Sequence, residues 1–472
     1  MRGALLVCGT SSGVGKSTIV AGLCRLFARR GVRVAPFKAQ NMSNQSAVTR
    51  DGAEIGRAQY AQAVAAGVEP EASMNLVLLK PTGERASQVV VMGRATGTTD
   101  AAAWGGAAPT LLPVVLDALA SLRDRYDVVV AEGAGGAAEL NLLDRDIVNL
   151  PLARAAGLPA VLVADIDRGG VFASAAGTLA VLPDELRSMV RGVVVNRLRG
   201  DPGVFARRGV AQLERVCGVP VLGVLPWLEG PLVDEEDLLD LSLTQRVDAA
   251  LDVAVVRFPF VANVTDLDPL VAEPGVSARF VRAPGELGRP ALVVLPGTKR
   301  TVADLAWLRA TGLADVIAGC GASVLGICGG LQMLGRSITD DGVESGSGTV
   351  VGLGRLPVAT VFDAEKVVRR TSGMALGCPV DGYELRHGHV QPESLLHRTD
   401  DGVAWGTSVH GLFEADSFRE AFLCAVAARA GVPWHPGGVR YAEVRKAHHE
   451  RLADWLEFHL DLDALAAIIS SC

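Results

Sequence analysis

Gly9-Thr10-Ser11-Ser12-Gly13-Val14-Gly15-Lys16-Ser17-Thr18 is the stretch that decides the fold of the first half of this chain. An apolar run, Ala4-Leu5-Leu6-Val7-Cys8, precedes it and reads as a buried parallel strand. Ile19, Leu23, Leu26 and Phe27 follow at the spacing of one helix face. Strand, glycine-rich turn and helix are the surroundings a phosphate-binding loop needs. Glycines let backbone N–H groups close around phosphate oxygens, and the helix N-terminus adds partial positive charge. Lys16 reaches toward the outer phosphates and Ser17 toward Mg²⁺. Thr10, Gly13, Gly15 and Thr18 complete the expected nucleotide contacts, with Thr10 in the place of the usual first glycine. ATP or GTP is the expected ligand.

Working outward, apolar runs recur at Val32–Phe37, Asp127–Ala131, Ala160–Ala164, Gly192–Val195 and Val221–Val224. Continuous apolar strands belong to sheets covered on both faces. Polar motifs stand at their C-terminal ends: Lys38-Ala39-Gln40-Asn41, Glu132-Gly133-Ala134-Gly135, Asp165-Ile166-Asp167-Arg168 and Asn196-Arg197. Open α/β sheets bind ligands there. A second set follows at Leu251–Phe258, Ala291–Leu295, Ser323–Ile327 and Val403–Val409, and after Trp434 the chain reads as a packing helical tail. The expected division is 1–228, a linker at 229–250, and 251–472. The acidic run Asp234-Glu235-Glu236-Asp237 in that linker reads as solvated.

The second set holds another chemical motif. Val324-Leu325-Gly326-Ile327 runs into Cys328-Gly329-Gly330-Leu331-Gln332, a strand, a sharp glycine-flanked bend and a helix. That geometry exposes a nucleophile. A helix N-terminus favours negative charge, which suits a reacting thiol. Gly329 N–H is a candidate oxyanion donor, and His410, at the end of a later strand, a candidate base. His387, His389, His448 and His449 are poorly spaced as shared metal ligands.

Composition bounds the rest. The 472 residues carry 45 basic and 52 acidic side chains, which argues against bulk nucleic-acid affinity. Eight cysteines without a C-x-x-C pair fit a reducing cytoplasm. Met1-Arg2 leads straight into the first strand, so no signal peptide is expected, and the Val324–Leu334 run is too short to span a membrane. Self-association is left open.

The Cys328 bend with Gln332 and His410 resembles a class I glutamine amidotransferase domain. The first loop with Glu132-Gly133-Ala134-Gly135 resembles the dethiobiotin synthetase-like ATPases. Fused in this order, the two resemble the cobyrinic/cobyric acid amidating family of cobalamin biosynthesis. Longer strings favour its branch that makes adenosylcobyric acid: Pro36-Phe37-Lys38-Ala39-Gln40-Asn41-Met42-Ser43, Glu54-Ile55-Gly56-Arg57, Leu78-Leu79-Lys80-Pro81, Asp144-Arg145-Asp146 and Thr265-Asp266-Leu267-Asp268. The resemblance implies amidation of the b, d, e and g carboxylates of adenosylcobyrinic acid a,c-diamide. It implies ATP and Mg²⁺, glutamine as nitrogen donor, acyl phosphate intermediates and no bound redox cofactor. It assigns Ser17 and Glu132 to the metal, Lys38 to the transferred phosphoryl group, Asn196 to adenine, and Gly297 beside Gly329 to the oxyanion. Arg57, Lys80, Arg85, Arg145 and Arg168 are candidate anchors for the corrin carboxylates. Leu412 stands where most glutaminases of this class carry a Glu, so a Cys–His dyad with an unidentified orienting group is expected. Leu331 replaces a more usual aromatic residue. The rival readings are amidation of the a and c carboxylates, amidation of a cell-wall precursor, and a nucleotide switch with an inactive amidotransferase fold.

Overall fold

The computed structural model describes residues 1–83, 85–230, 234, 249–344 and 346–472. In its first part, strands β1 (Gly3–Gly9), β2 (Val34–Met42), β3 (Ser46–Val48), β4 (Glu54–Gly56), β5 (Asn75–Pro81), β6 (Ala86–Val91), β7 (Arg94–Asp100), β8 (Val128–Glu132), β9 (Ala160–Asp165), β10 (Val190–Leu198) and β11 (Val221–Pro226) follow in chain order. Nine of them form one sheet, in the order β11-β10-β9-β1-β8-β2-β5-β6-β7, while β3 and β4 make a separate hairpin. Pairing is parallel from β11 to β5 and antiparallel beyond it. The parallel strands are buried on both faces, as their continuous apolar runs require. All six strands expected in this half are present. The strands β5 to β7, which were not expected, extend the sheet beyond them; β5 carries the apolar run Leu76–Leu79, while β7 is polar and largely exposed.

The second part adds β12 (Leu251–Val256), β13 (Val261–Ala262), β14 (Val276–Val281), β15 (Leu292–Leu295), β16 (Gly297–Thr298), β17 (Ser323–Ile327), β18 (Ser337–Asp340), β19 (Gly348–Val351), β20 (Ala359–Ala375), β21 (Cys378–Gln391), β22 (His397–Arg398) and β23 (Ala404–Thr407). Its main sheet runs β14-β12-β15-β17-β23-β22, parallel except at its last pair. A second sheet, β19-β18-β20-β21, carries the long hairpin β20–β21. That hairpin was not expected. Its polar outer half alternates with few apolar residues, so no hydrophobic run marks it.

The halves are joined by helix packing, ion pairs and hydrogen bonds. The helix Tyr441–His459 packs on Lys16–Arg29, where Gly22 leaves room for Leu456; a Cβ there would lie 2.6 Å from its Cδ1. Arg25 pairs with Glu450, and Arg29 with Asp454 and Glu457. The helical tail, counted with the second unit from sequence, thus has its packing surface on the first. Ser46 N–H donates to Asn263 Oδ1 (2.9 Å), and Val264 N–H to Gln45 Oε1 (2.9 Å). Tyr383 Oη donates to Ser46 O (2.9 Å).

Most of the expected linker, 231–233 and 235–248, lies outside the described residues, as do Glu235, Glu236 and Asp237. Asp234 corrects the reading of that acidic run. It is buried rather than solvated, because Arg57 and Arg445 converge on its carboxylate. The helical run Ala101–Arg125 is long and apolar enough, by composition, to cross a membrane. Its Val115, Leu119 and Leu122 face is buried in the first core.

Candidate active site

Two centres emerge. At the first, β1 delivers the loop and the helix Lys16–Arg29 begins at its end. Gly13 and Gly15 have φ of 69° and 91°, a region that favours glycine. Lys16 Nζ donates to Ser11 O (3.0 Å) and Gly135 O (2.9 Å), so it spans the mouth of the loop to the motif after β8. Asn196 Nδ2 donates to Val14 O (2.8 Å), holding the loop from the end of β10. Thr10 N–H donates to Val163 O, which fixes the start of the loop against β9, and Thr18 lies in the first turn of the helix.

Glu132 is the hub of this centre. Ser17 Oγ (2.7 Å) and Lys38 Nζ (2.6 Å) both donate to its Oε1, and Gln62 Nε2 donates to Oε2 (2.6 Å). Burial pushes the Glu132 carboxyl up, but Lys38 and these hydrogen bonds outweigh it and hold the group below its ordinary range. A hydroxyl and an ionised carboxylate side by side at a phosphate loop fit the oxygen-only demands of Mg²⁺.

At the second centre, β17 ends in Cys328, whose φ of 50° and ψ of −105° lie where side chains rarely sit. The bend is enforced from both sides. A Cβ on Gly326 would lie 2.5 Å from Gly330 backbone, and one on Gly330 would overlap Leu295 O. His410 and Cys328 line the same cavity. His410 Nδ1 meets Asp266 Oδ2 at 2.6 Å, while Asp266 Oδ1 accepts Gly411 N–H (2.8 Å). Tyr383 stacks on the imidazole at 5.3 Å. Burial disfavours the charged ring, yet the Asp266 carboxylate and Cys328 outweigh it and push the His410 pKa up to about 10.

Asp266 is thus the orienting group the sequence left unidentified. It lies 144 residues before His410, and no spacing rule connects them. Gly297, on β16, packs against His410; a Cβ there would lie 3.4 Å from His410 Cε1. Gln332 accepts from Thr301 Oγ1 (3.1 Å) and, with Gly297, Lys299 and Glu344, lines the cavity around Cys328. Asn44 and Lys80 of the first half close its other side. Leu331 faces the core against Gly406 rather than the cavity.

The basic candidates divide. Arg57 and Lys80 are not open anchors: Arg57 is paired with buried Asp234 and half-buried Glu414, and Lys80 with buried Glu54. Each was drawn inward by a carboxylate whose position sequence does not reveal. Arg85 and Arg168 are exposed and Arg145 is half-buried. His387 lines the cavity and meets Gln88 Nε2 at 3.1 Å, whereas His448 and His449 lie on the C-terminal helix, both pushed down by burial.

Replacing Asp266 by Asn is expected to slow glutamine hydrolysis about 10²–10⁴-fold, by analogy with other histidine-orienting carboxylates, and to spare ammonium-dependent turnover. The imidazolium loses its counter-charge, so the His410 pKa falls. The alkaline limb of the glutaminase pH profile should then move to lower pH. An unmoved limb contradicts the assignment.

Comparison with known proteins agrees with both centres. Residues 5–233 match the model of the CobQ/CobB/MinD/ParA nucleotide binding domain, and residues 252–418 that of the CobB/CobQ-like glutamine amidotransferase domain. Cobyric acid synthase of Streptomyces coelicolor is 51% identical over 489 residues, covering 100% of this chain and 97% of that protein. Those of Frankia casuarinae and Mycobacterium ulcerans are 48% and 49% identical, with 97% and 96% of their lengths covered. Two α/β units in this order, similar from end to end to these enzymes, place the chain in the cobyric acid synthase family.

Proposed function

We propose that this chain converts adenosylcobyrinic acid a,c-diamide to adenosylcobyric acid, amidating the b, d, e and g carboxylates with ATP and with ammonia from glutamine. The observation that carries this reading is the full-length similarity to cobyric acid synthases, joined to two equipped centres in one chain. A carboxylate repels nucleophiles and has no usable leaving group. Phosphorylation by ATP supplies one, and ammonia then displaces phosphate from the acyl phosphate. Such transfer depends on positioning and charge neutralisation. Lys16 and Lys38 supply cationic charge from two sides of the loop. Ser17 and Glu132 would hold Mg²⁺, whose contribution is to neutralise the phosphate oxygens. Lys38, in the middle of β2, is held by Glu132, where it can meet the transferred group. Asn196 is assigned to the adenine side.

At the second centre, Cys328 attacks the glutamine amide and the His410 imidazolium gives its proton to the leaving nitrogen. Ammonia departs neutral and the glutamyl thioester is hydrolysed. Asp266 keeps His410 oriented, and the Gly297 and Gly329 backbone is assigned to the oxyanion. We assign 1–228 to amide synthesis and 251–472 to ammonia supply, in the cytoplasm. Arg85, Arg145 and Arg168 remain the candidate corrin anchors. The Cys328–His410–Asp266 arrangement favours an active enzyme over a nucleotide switch.

One phosphate loop must serve four differently placed carboxylates, so the corrin has to reposition between rounds. With ATP, glutamine and excess diamide, partly amidated corrinoids are expected early, as successive mass steps of one amide. Product confined to the a and c positions of cobyrinic acid, with the diamide untouched, would reject the assignment in favour of the nearest rival.

A further inference from the structure

Resting on that reading, we propose that Asn44, backed by Lys80 and Lys366, is the portal through which ammonia leaves the Cys328 cavity for the amide-synthesising half. The cavity is built mostly by the second unit, from β16, β17, β21 and their loops, and Asn44 and Lys80 come from the first. The Asn44 amide nitrogen is used by Pro81 O (3.3 Å). Its Oδ1 is buried and has no hydrogen-bond partner among the described residues. A buried amide oxygen left unmatched costs stability unless a guest or water satisfies it. Ammonia donates N–H bonds and is small enough to do so in passing.

The charges beside it select the neutral form. Glu54 holds two buried lysines, Lys80 Nζ at 2.6 Å on one oxygen and Lys366 Nζ at 2.5 Å on the other. Lys80 also donates to Ser46 Oγ (2.6 Å), and Lys366 to Gln88 Oε1 (3.2 Å). Two lysines share one carboxylate on this wall, while Lys299 across the cavity is paired with Glu344 (3.6 Å). Lysines crowded on this wall disfavour a further cation such as ammonium relative to neutral ammonia. Burial pushes the Lys366 pKa down to about 7, the response expected of crowded cations.

On the first unit's side, neutral amides cluster around Lys38 and Glu132. Asn41 Nδ2 donates to Gln59 Oε1 (3.2 Å), Gln59 Nε2 approaches Glu132 Oε2 (3.5 Å), and Asn75 Nδ2 donates to Lys38 O (3.3 Å). All three are buried. Asn44 is six residues past Lys38 on the same segment, so the chain alone puts the two within about 20 Å. That segment is tied to the second unit next to Asp266 and His410 by the Asn263, Gln45 and Tyr383 bonds described above.

The test is Asn44→Leu in the full-length enzyme, with three rates measured separately: glutamine hydrolysis, amidation from glutamine, and amidation from saturating ammonium chloride. Leu removes the acceptor and blocks the portal. Hydrolysis and ammonium-supported amidation are expected to persist, while the yield of amide per glutamine hydrolysed falls several-fold. Asn44→Gln, which keeps an amide oxygen, should recover part of that yield. An unchanged yield overturns the proposal. So does a raised glutamine KM at unchanged yield, which would make Asn44 a glutamine contact. Absence of glutamine hydrolysis in the unmodified enzyme would instead overturn the functional reading beneath it.

Discussion

Cys328→Ala abolishes amidation from glutamine and leaves amidation from ammonium salts. That is the expected result if the thiol is the only route from glutamine to ammonia. Removing an enzymatic nucleophile costs on the order of 10⁴–10⁶-fold, so the glutamine-dependent rate should fall to background. The fold should tolerate the change. Alanine keeps the Cβ, so the positive φ at 328 is no more strained than before, and the flanking Gly326 and Gly330 contacts are untouched. The thiol makes a long, 3.9 Å contact to Leu385 O, which does not hold the bend together. Retention of near-unmodified glutamine use would make Cys328 structural.

Lys16→Ala has the opposite signature, losing amidation from both nitrogen donors. Its Nζ ties the loop to Gly135 and faces the place where phosphate oxygens must lie. Removing a cation that stabilises the transferred phosphoryl group costs about 10³–10⁵-fold. Glutamine hydrolysis at the second centre should continue. The intermediate is checked in the unmodified enzyme with substrate carboxylates labelled with ¹⁸O: an acyl phosphate sends one label into phosphate for every amide made. Amidation at normal rate in the Lys16 variant would move the nucleotide site elsewhere.

The contrast between the centres shows what is legible in a single chain. The phosphate loop and the Cys328 bend are local. Their glycines, strand and helix lie within about a dozen residues, and backbone sterics alone demand the pattern. Glu132, Lys38 and Asn196 were found because each directly follows an apolar run, and parallel sheets bring the C-terminal sides of such runs together. Asp266 was not found, although its string was noticed. It lies within the short helical turn Val264–Leu267, which β13, paired with β16, leads into, and only the tertiary fold brings it to His410. Arg57 and Lys80 were misread for the same reason. A basic residue looks the same in sequence whether a substrate or a buried carboxylate awaits it, and Asp234 and Glu54 reach them only through the tertiary fold. The β20–β21 hairpin escaped because its outer half is polar and exposed, so neither period betrays it.

The central claim is that one chain makes ammonia at Cys328 and uses it at the phosphate loop. The most direct test supplies glutamine labelled with ¹⁵N at its amide, ATP and the diamide, in a bath of unlabelled ammonium below the level that supports synthesis by itself. Mass spectrometry of the corrinoid product then reads both chemistry and route. The account predicts adenosylcobyric acid carrying ¹⁵N in all four new amides. Product whose label is diluted to the composition of the bath would contradict it, because the two centres would then exchange ammonia only through solvent.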